Sequence, residues 1–454
     1  ALMLLLAACA APPAAPAVPA PADDAAGAEA PGEPQTGGVL IAARAADATG
    51  LDPHVQTAFA SHRMLEQIYE PLLSLDADMN VIPHLATSWE WSEDGLTLTM
   101  PLQDNVVFHD GTPMTSADVK ASFERILNEE TGAAARGFFT AIESMDTPDD
   151  ATIVFNLNAP NAALLAAMTT PNAAILPQAW LDAGGDPAAE TNGTGPFKLA
   201  NWEPDNIMSM EAHADYWMPD RPYLEGIEFR TIPDESSILA GLRAGEIDWA
   251  LLNDPRVATV AAGSEGLNIM RAPALAYHVL QLNASRPMFE DVRVRQAIAC
   301  AIDRQQVIDT ASHGEGEVTS PATPLNYRAP LGEITCYEKD LEKAQALQDE
   351  AGDSGMTITI MAATLEPPTA LSEAQNIQAQ LAELGIRVEI EPLELGVYVD
   401  RWLAADFEAA VALNGGNPDP DNMFYRYWHS TGNLNSVANY SSEEIDALLD
   451  QARA

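Results

Sequence analysis

The chain has 454 residues, with 67 Asp and Glu against 22 Lys and Arg, a formal net charge of −45. That balance argues against a nucleic-acid partner, because phosphate would be repelled rather than neutralised, and no basic stripe offsets it. A hydrophobic fraction of 47% with 20% charged residues marks a folded globular protein with room for two or three domains of about 150 residues; the acid reads as a solvated surface suited to a salty habitat.

Residues 1–8, ALMLLLAA, read as the tail of a secretory leader whose initiator Met and basic stretch are absent, so the sequence begins as a fragment. Leu6-Ala7-Ala8-Cys9 is similar to a bacterial lipobox. Acyl chains on Cys9 would anchor the protein to a membrane stably where one chain would be marginal. Residues 9–37 are Ala, Pro, Gly and acid with little to bury, an extended tether. No later run approaches the roughly 20 apolar residues that span a bilayer, so the body meets a membrane through the lipid alone.

Gly37 to Ala46 reads as a buried strand, "GLDPH" as a turn, and His62 to Leu73 as a helix. In "GLTLTMPL", Leu96, Leu98, Met100 and Leu102 alternate with Thr97, Thr99 and Pro101, the period of a half-buried strand preceded by an "SEDG" turn. "FHDGTPMTSADVKASFERIL" passes from an Asp110-Gly111 turn into a helix with Thr115 as N-cap and Asp118 three residues on. His109 and Asp110 therefore read as turn chemistry rather than catalysis. A strand at Ala151–Asn158 and a helix around Ala162–Met168 follow. "NGTGPFKLANW" lacks the Lys-Ser or Lys-Thr pair of a phosphate loop, and its glycines read as backbone geometry.

From Tyr337 onward, helices alternate with strands at Met356–Met361, Arg387–Leu393 and Phe407–Leu413, with Gly385 as a helix stop. This alternation predicts an α/β lobe with parallel pairing. The final helix, "SSEEIDALLDQARA", has no stop signal, so the second lobe reads as truncated. Cys300 and Cys336 would lie in an oxidising compartment, where they can pair or stay free.

The eight histidines form no metal-ligand spacing, and there is no Cys-x-x-Cys, nucleophile elbow or dinucleotide fingerprint. The expectation is a binding protein with no cofactor and no metal. The loop "LNGGNPDPDNMF" (Leu413–Phe424) draws attention because ligands of open α/β sheets sit beyond strand ends.

"WSEDGLTLTMPLQDNVVFHDGTPMTSADVKASFERI", "GTGPFKLANW", "AGEIDWA", "FEDVRVRQAIACAIDR" and "NYSSEEIDALL", in that order, resemble the extracytoplasmic solute-binding proteins of ABC transporters, family 5, the dipeptide and oligopeptide type. The resemblance implies a two-lobed periplasmic-binding-protein-like α/β fold of type II: a first lobe at 38–280 with an inserted subdomain at about 86–190, and a second lobe at 281–454. It implies a monomer that captures a peptide, saccharide or similar small-molecule solute in the interlobe cleft and hands it to an ABC permease. The alternative is a surface lipoprotein using the fold for sensing or adhesion. By position, Thr57 and Phe59 would face the cleft from the first lobe and Gln281 from beside the hinge. Asn414, Gly416 and Asn417 would face it from the second lobe. Peptide-binding relatives usually hold an aspartate at the place of Gly416 or Asn417 for the ligand's ammonium. Its absence, unless Asp419 takes over, implies a neutral ligand or one without a charged amine.

Overall fold

The structure is a computed structural model that describes residues 34–271, 275–319, 336–352, 355–416, 419–432 and 434–453. Cys9 and Asn417 lie outside the described residues. The fold lies in the unit Gly37–Ala454.

Two sheets organise that unit into two lobes. In the first, strand order is Trp249–Ala250, Val39–Arg44, Gly226–Thr231, Ile207–Ala212, Phe197–Glu203, parallel across the first two junctions and antiparallel across the rest. Beside it, the stretch between Glu90 and Leu157 builds an antiparallel sheet in the order Glu90–Trp91, Thr97–Pro101, Thr152–Leu157, Ile142–Asp149. The alternation read from sequence is realised there: Leu98 and Met100 are fully buried and the intervening threonines half-buried. Helix Ser116–Leu127 covers this sheet with Val119, Phe123 and Ile126, a 3.6-period stripe. It begins where expected, with the Thr115 N–H donating to Asp118 Oδ2 at 2.7 Å. Phe123 meets Phe139 and Phe155 edge to face at 5.0 Å, each pair worth about 0.5–1.5 kcal/mol beyond area buried.

The glycines of "NGTGPF" serve close backbone approach. The Gly195 N–H donates to Ile68 O at 2.9 Å, and a Cβ there would lie 2.6 Å from Gln67 O. Asp110 accepts from Thr112 N at 2.8 Å and from Asn192 Nδ2 at 2.8 Å, which is turn chemistry.

The second lobe carries the order Ala276–Leu282, Ala409–Gly415, Thr357–Ala363, Arg387–Leu393. The first pair is antiparallel and the others parallel, as the alternation predicted for the later strands. Strand Ala276–Leu282, which contains the 280/281 position, pairs along its whole length with Ala409–Gly415. Helix Ala370–Leu381 tightens through Ala382–Leu384 and stops at Gly385, φ +75°, a left-handed residue that glycine occupies without Cβ strain. Cys300 and Cys336 are disulfide-bonded, Cα–Cα 5.1 Å, joining the end of helix Val292–Ala301 to the approach of Leu341–Ala351.

Two predicted boundaries shift. The first helix is Phe59–Leu65 rather than reaching Leu73, because Leu73–Leu75 pairs as a strand with Val81–Pro83. The Leu413–Phe424 loop is shorter: the strand continues to Gly415, and Pro420–Trp428 is a helix with Pro in its first turn, capped by Asp419. A proline lacking its N–H costs nothing there.

Candidate functional site: an interlobe cleft

Between the lobes lies a cavity of about 240 Å³. Its first-lobe wall is the chain from Thr57 to His62, set by the "LDPH" turn. Asn172 Nδ2 donates to Pro53 O at 2.7 Å and Gln56 O at 2.9 Å, holding the segment that leads to Thr57. Arg125 Nη1 donates to Asp52 Oδ1 at 3.1 Å and to His54 Nδ1 at 2.7 Å. A guanidinium only donates, so the His54 ring is neutral with its proton on Nε2, which donates to Ala174 O at 2.9 Å. Burial, with Arg125 adding to it, holds His54 down at about 4.

The second-lobe wall is one face of helix Leu395–Leu403, where Leu395, Tyr398 and Trp402 recur at helical spacing. Each aromatic is fixed from behind: Tyr398 Oη donates to Val411 O at 2.8 Å, and Trp402 Nε1 donates to Gln281 Oε1 at 2.7 Å. Gly415 and Gly416 continue this wall, and Arg426 and Tyr427 of the following helix complete it.

The lobes are in contact. The Phe59 ring lies against Gly415, where an added Cβ would be 2.9 Å from Phe59 Cζ. Ala46 and Ala60 of the first lobe share an apolar cluster with Tyr277, Met361 and Trp402 of the second. The Ala162 N–H donates to Arg453 O at 3.2 Å, and Arg453 Nη1 donates to Gly137 O at 3.3 Å.

The charges on the cavity are few. His62 is held down at about 4 by burial and then by the Arg426 charge, so it is neutral at pH 7. Burial raises the Glu366 carboxyl, opposed by the charges of Arg44 and Arg63. Arg44 is lowered to about 10 by burial, with Glu366 opposing, and its Nη1 donates to Ala60 O at 2.8 Å. Glu66 sits exposed at the rim. Arg426 faces the cavity with its guanidinium 5.5 Å from the Phe138 ring and 5.8 Å from the Tyr427 ring. Among the described residues no group of three or more His, Cys, Asp or Glu is placed to hold a metal ion.

Of the residues singled out from sequence, Thr57, Phe59 and Gly416 line the cavity. Gln281 lies behind the wall as the acceptor for Trp402. Asn414 is buried, its Nδ2 3.3 Å from Tyr277 Oη. Asp419 caps the next helix, accepting from Asp421 N at 2.9 Å. Sequence reading missed His62, Glu366, Tyr398, Trp402 and Arg426. The helical recurrence of Leu395, Tyr398 and Trp402, and a lone arginine inside the aromatic run "FYRYWH", were the available signals.

The sequence profile of the bacterial extracellular solute-binding proteins, family 5 (middle), matches residues 80–435. The chain belongs to that family. The glutathione-binding protein GsiB of Salmonella typhi is 28% identical over 432 residues, 91% of this chain and 82% of that protein. Among solved structures, the Helicobacter pylori ABC transporter-associated periplasmic binding protein DppA, in complex with the peptide STSA, superposes with a TM-score of 0.84. It is 31% identical, covering 93% of this chain and 87% of that one. The binding protein AgaA of A. tumefaciens R10, in complex with agropinic acid, gives 0.85 at 29% identity, covering 92% and 86%. The two-lobed α/β periplasmic-binding-protein fold and the solute-binding, non-enzymatic role expected from sequence are borne out. Family membership makes this an extracytoplasmic solute-binding protein of the ABC importer type, and no helix among the described residues is long and apolar enough to cross a membrane.

Proposed function

We propose that this protein captures a peptide or similarly sized polar solute in the interlobe cleft and presents the closed form to an ABC permease. The observation that carries this is the cavity of about 240 Å³ walled jointly by Thr57–His62 of one lobe and by Trp402, Gly415 and Arg426 of the other. A guest touching both walls binds the closed form more tightly than the open one and shifts the population toward it. That volume falls below the roughly 300–1,000 Å³ of common small-molecule sites, which favours a compact guest. Relatives that bind glutathione, a short peptide and agropinic acid support a small polar ligand class.

The finer organisation belongs to the same proposal. The inserted subdomain at about 86–190 is supported by the separate antiparallel sheet between Glu90 and Leu157 with its own apolar cluster. The lobe division lies ahead of Ala276, since that strand belongs to the second sheet. The protein works as a monomer held to the membrane by lipid on Cys9. Small-angle scattering of the purified protein with and without a panel of di- and tripeptides, glutathione and saccharides tests the function. A solute that binds calorimetrically and shrinks the radius of gyration is the expected result. Profiles unchanged by every compound, or turnover of any of them, would refute it. Mass spectrometry of membrane-extracted protein, beside a Cys9→Ser variant released to the medium, checks the anchor.

A further inference from the structure

Resting on that reading of the cleft, the geometry points to Arg426 as the residue that receives the solute, and to a compact solute bearing a carboxylate. The chain has 67 acidic against 22 basic side chains, and many of its arginines find a carboxylate. Arg125, Arg136, Arg230, Arg293, Arg401 and Arg453 all do. Arg426 makes no ion pair and no side-chain hydrogen bond among the described residues, and its Nε is buried without an acceptor. Leaving a buried charged donor unmet is costly unless something supplies the oxygen.

The guanidinium is also held in place for such an oxygen. The Phe138 and Tyr427 rings, one from each lobe, lie 5.5 and 5.8 Å from it, within the range of cation–π attraction. The Phe138 contact forms only when the lobes meet, and Arg426 is part of the cavity lining. A carboxylate matches the planar guanidinium fork with two parallel charge-assisted hydrogen bonds.

Glu66 and Glu366 share the lining with Arg426 and form no ion pair with it among the described residues. Glu366 feels the charges of Arg44 and Arg63, but its Oε2 is buried without a hydrogen-bond partner; burial raises the Glu66 carboxyl with Arg63 opposing, and His62 is neutral. The Asn414 amide is turned to Tyr277, and Arg426 brings a positive charge to the lining. The shared chemistry is a carboxylate, whether a peptide C-terminus or the acid of a modified amino acid.

The test is calorimetry of wild type, Arg426→Gln and Arg426→Lys against alanyl-leucine, glutathione and N-acetyl amino acids, each beside its carboxamide, with neutral saccharides included. The expected result is that the free acid binds roughly 30- to 100-fold more tightly than its amide in wild type. Arg426→Gln should abolish that difference and Arg426→Lys should keep part of it. The acid arm that binds best tells a peptide terminus from a modified amino acid. Ligand-free thermal melts matched to wild type separate loss of recognition from loss of folding. Should Arg426→Gln melt early, the acid-to-amide ratio in wild type and in Arg426→Lys decides instead. Acid and amide binding equally, or a difference that survives Arg426→Gln, overturns the inference while leaving lobe closure intact. Binding by saccharides alone does the same, and no binding by any compound overturns the solute-capture reading with it.

Discussion

Replacing Gly415 by Val should hold the lobes apart without harming either one. Gly415 ends the strand Ala409–Gly415 opposite Ala276, and its φ is not in the left-handed region, so space rather than backbone freedom demands glycine. A Cβ there would lie 2.9 Å from Phe59 Cζ, with two further ring carbons at 3.5 and 3.8 Å. Arg63 lies 5.7 Å over the same ring, so tilting the ring away disturbs a second group. Overpacking of this kind costs about 1–3 kcal/mol. Because Phe59 and Gly415 come from different lobes, the cost falls on the closed form alone, and a β-branched residue is at home in the strand. A population shift of that size raises the apparent Kd by roughly 5- to 140-fold. Calorimetry with a binding solute measures this, while ligand-free unfolding should stay within about 0.5 kcal/mol of wild type. Phe59→Ala in the Val background should recover part of the loss, since the two residues are coupled only through contact. Wild-type affinity in the Val variant, or no relief from Phe59→Ala, would refute the reasoning.

Serine at both Cys300 and Cys336 should lower stability by about 4 kcal/mol, the loop-closure entropy of a crosslink spanning 36 residues, read from denaturant unfolding; a loss under about 1 kcal/mol would show that the unlinked chain is already constrained. Stability should also fall as pH drops from about 6.5 to about 4. His54, His62 and His109 are each held at about 4 by burial against an ordinary 6.5, so the folded chain binds fewer protons than the unfolded one in that window. The slope is up to about 1.4 kcal/mol per pH unit for each ring. Glu66, Glu235, Glu366 and Asp421, raised by burial, act in the opposite sense, and His213, lowered by burial, adds to the fall. Thermal melts at stepped pH check this, and a midpoint that rises on acidification would count against it.

What the sequence made legible is what local chemistry determines. The alternation around Leu98 and Met100, the Thr115 cap and the Gly385 stop each depend on neighbours a few residues away, and all three stand in the structure. Asp419-Pro420 misled because the same pair starts a turn or a helix, and only the aromatic face packed behind it decides. At the cleft, resemblance in register brought out Thr57, Phe59 and Gly416. Gln281 and Asn414 stand one layer behind, since knowing a strand does not tell which of its two faces meets the partner lobe. Arg426, Tyr398 and Trp402 become a wall only when helices distant in sequence meet across the interface, and no local pattern encodes that meeting.

The hydrogen bonds behind Tyr398 and Trp402 have one more consequence. With the phenol tied to Val411 O and the indole to Gln281, the rotamers of this wall are settled before any guest arrives. Little side-chain entropy is left to lose there on docking, so the wall behaves as a mould rather than a glove. Such preorganisation narrows the range of guests, discriminating by shape through the rings and leaving adaptation to the hinge.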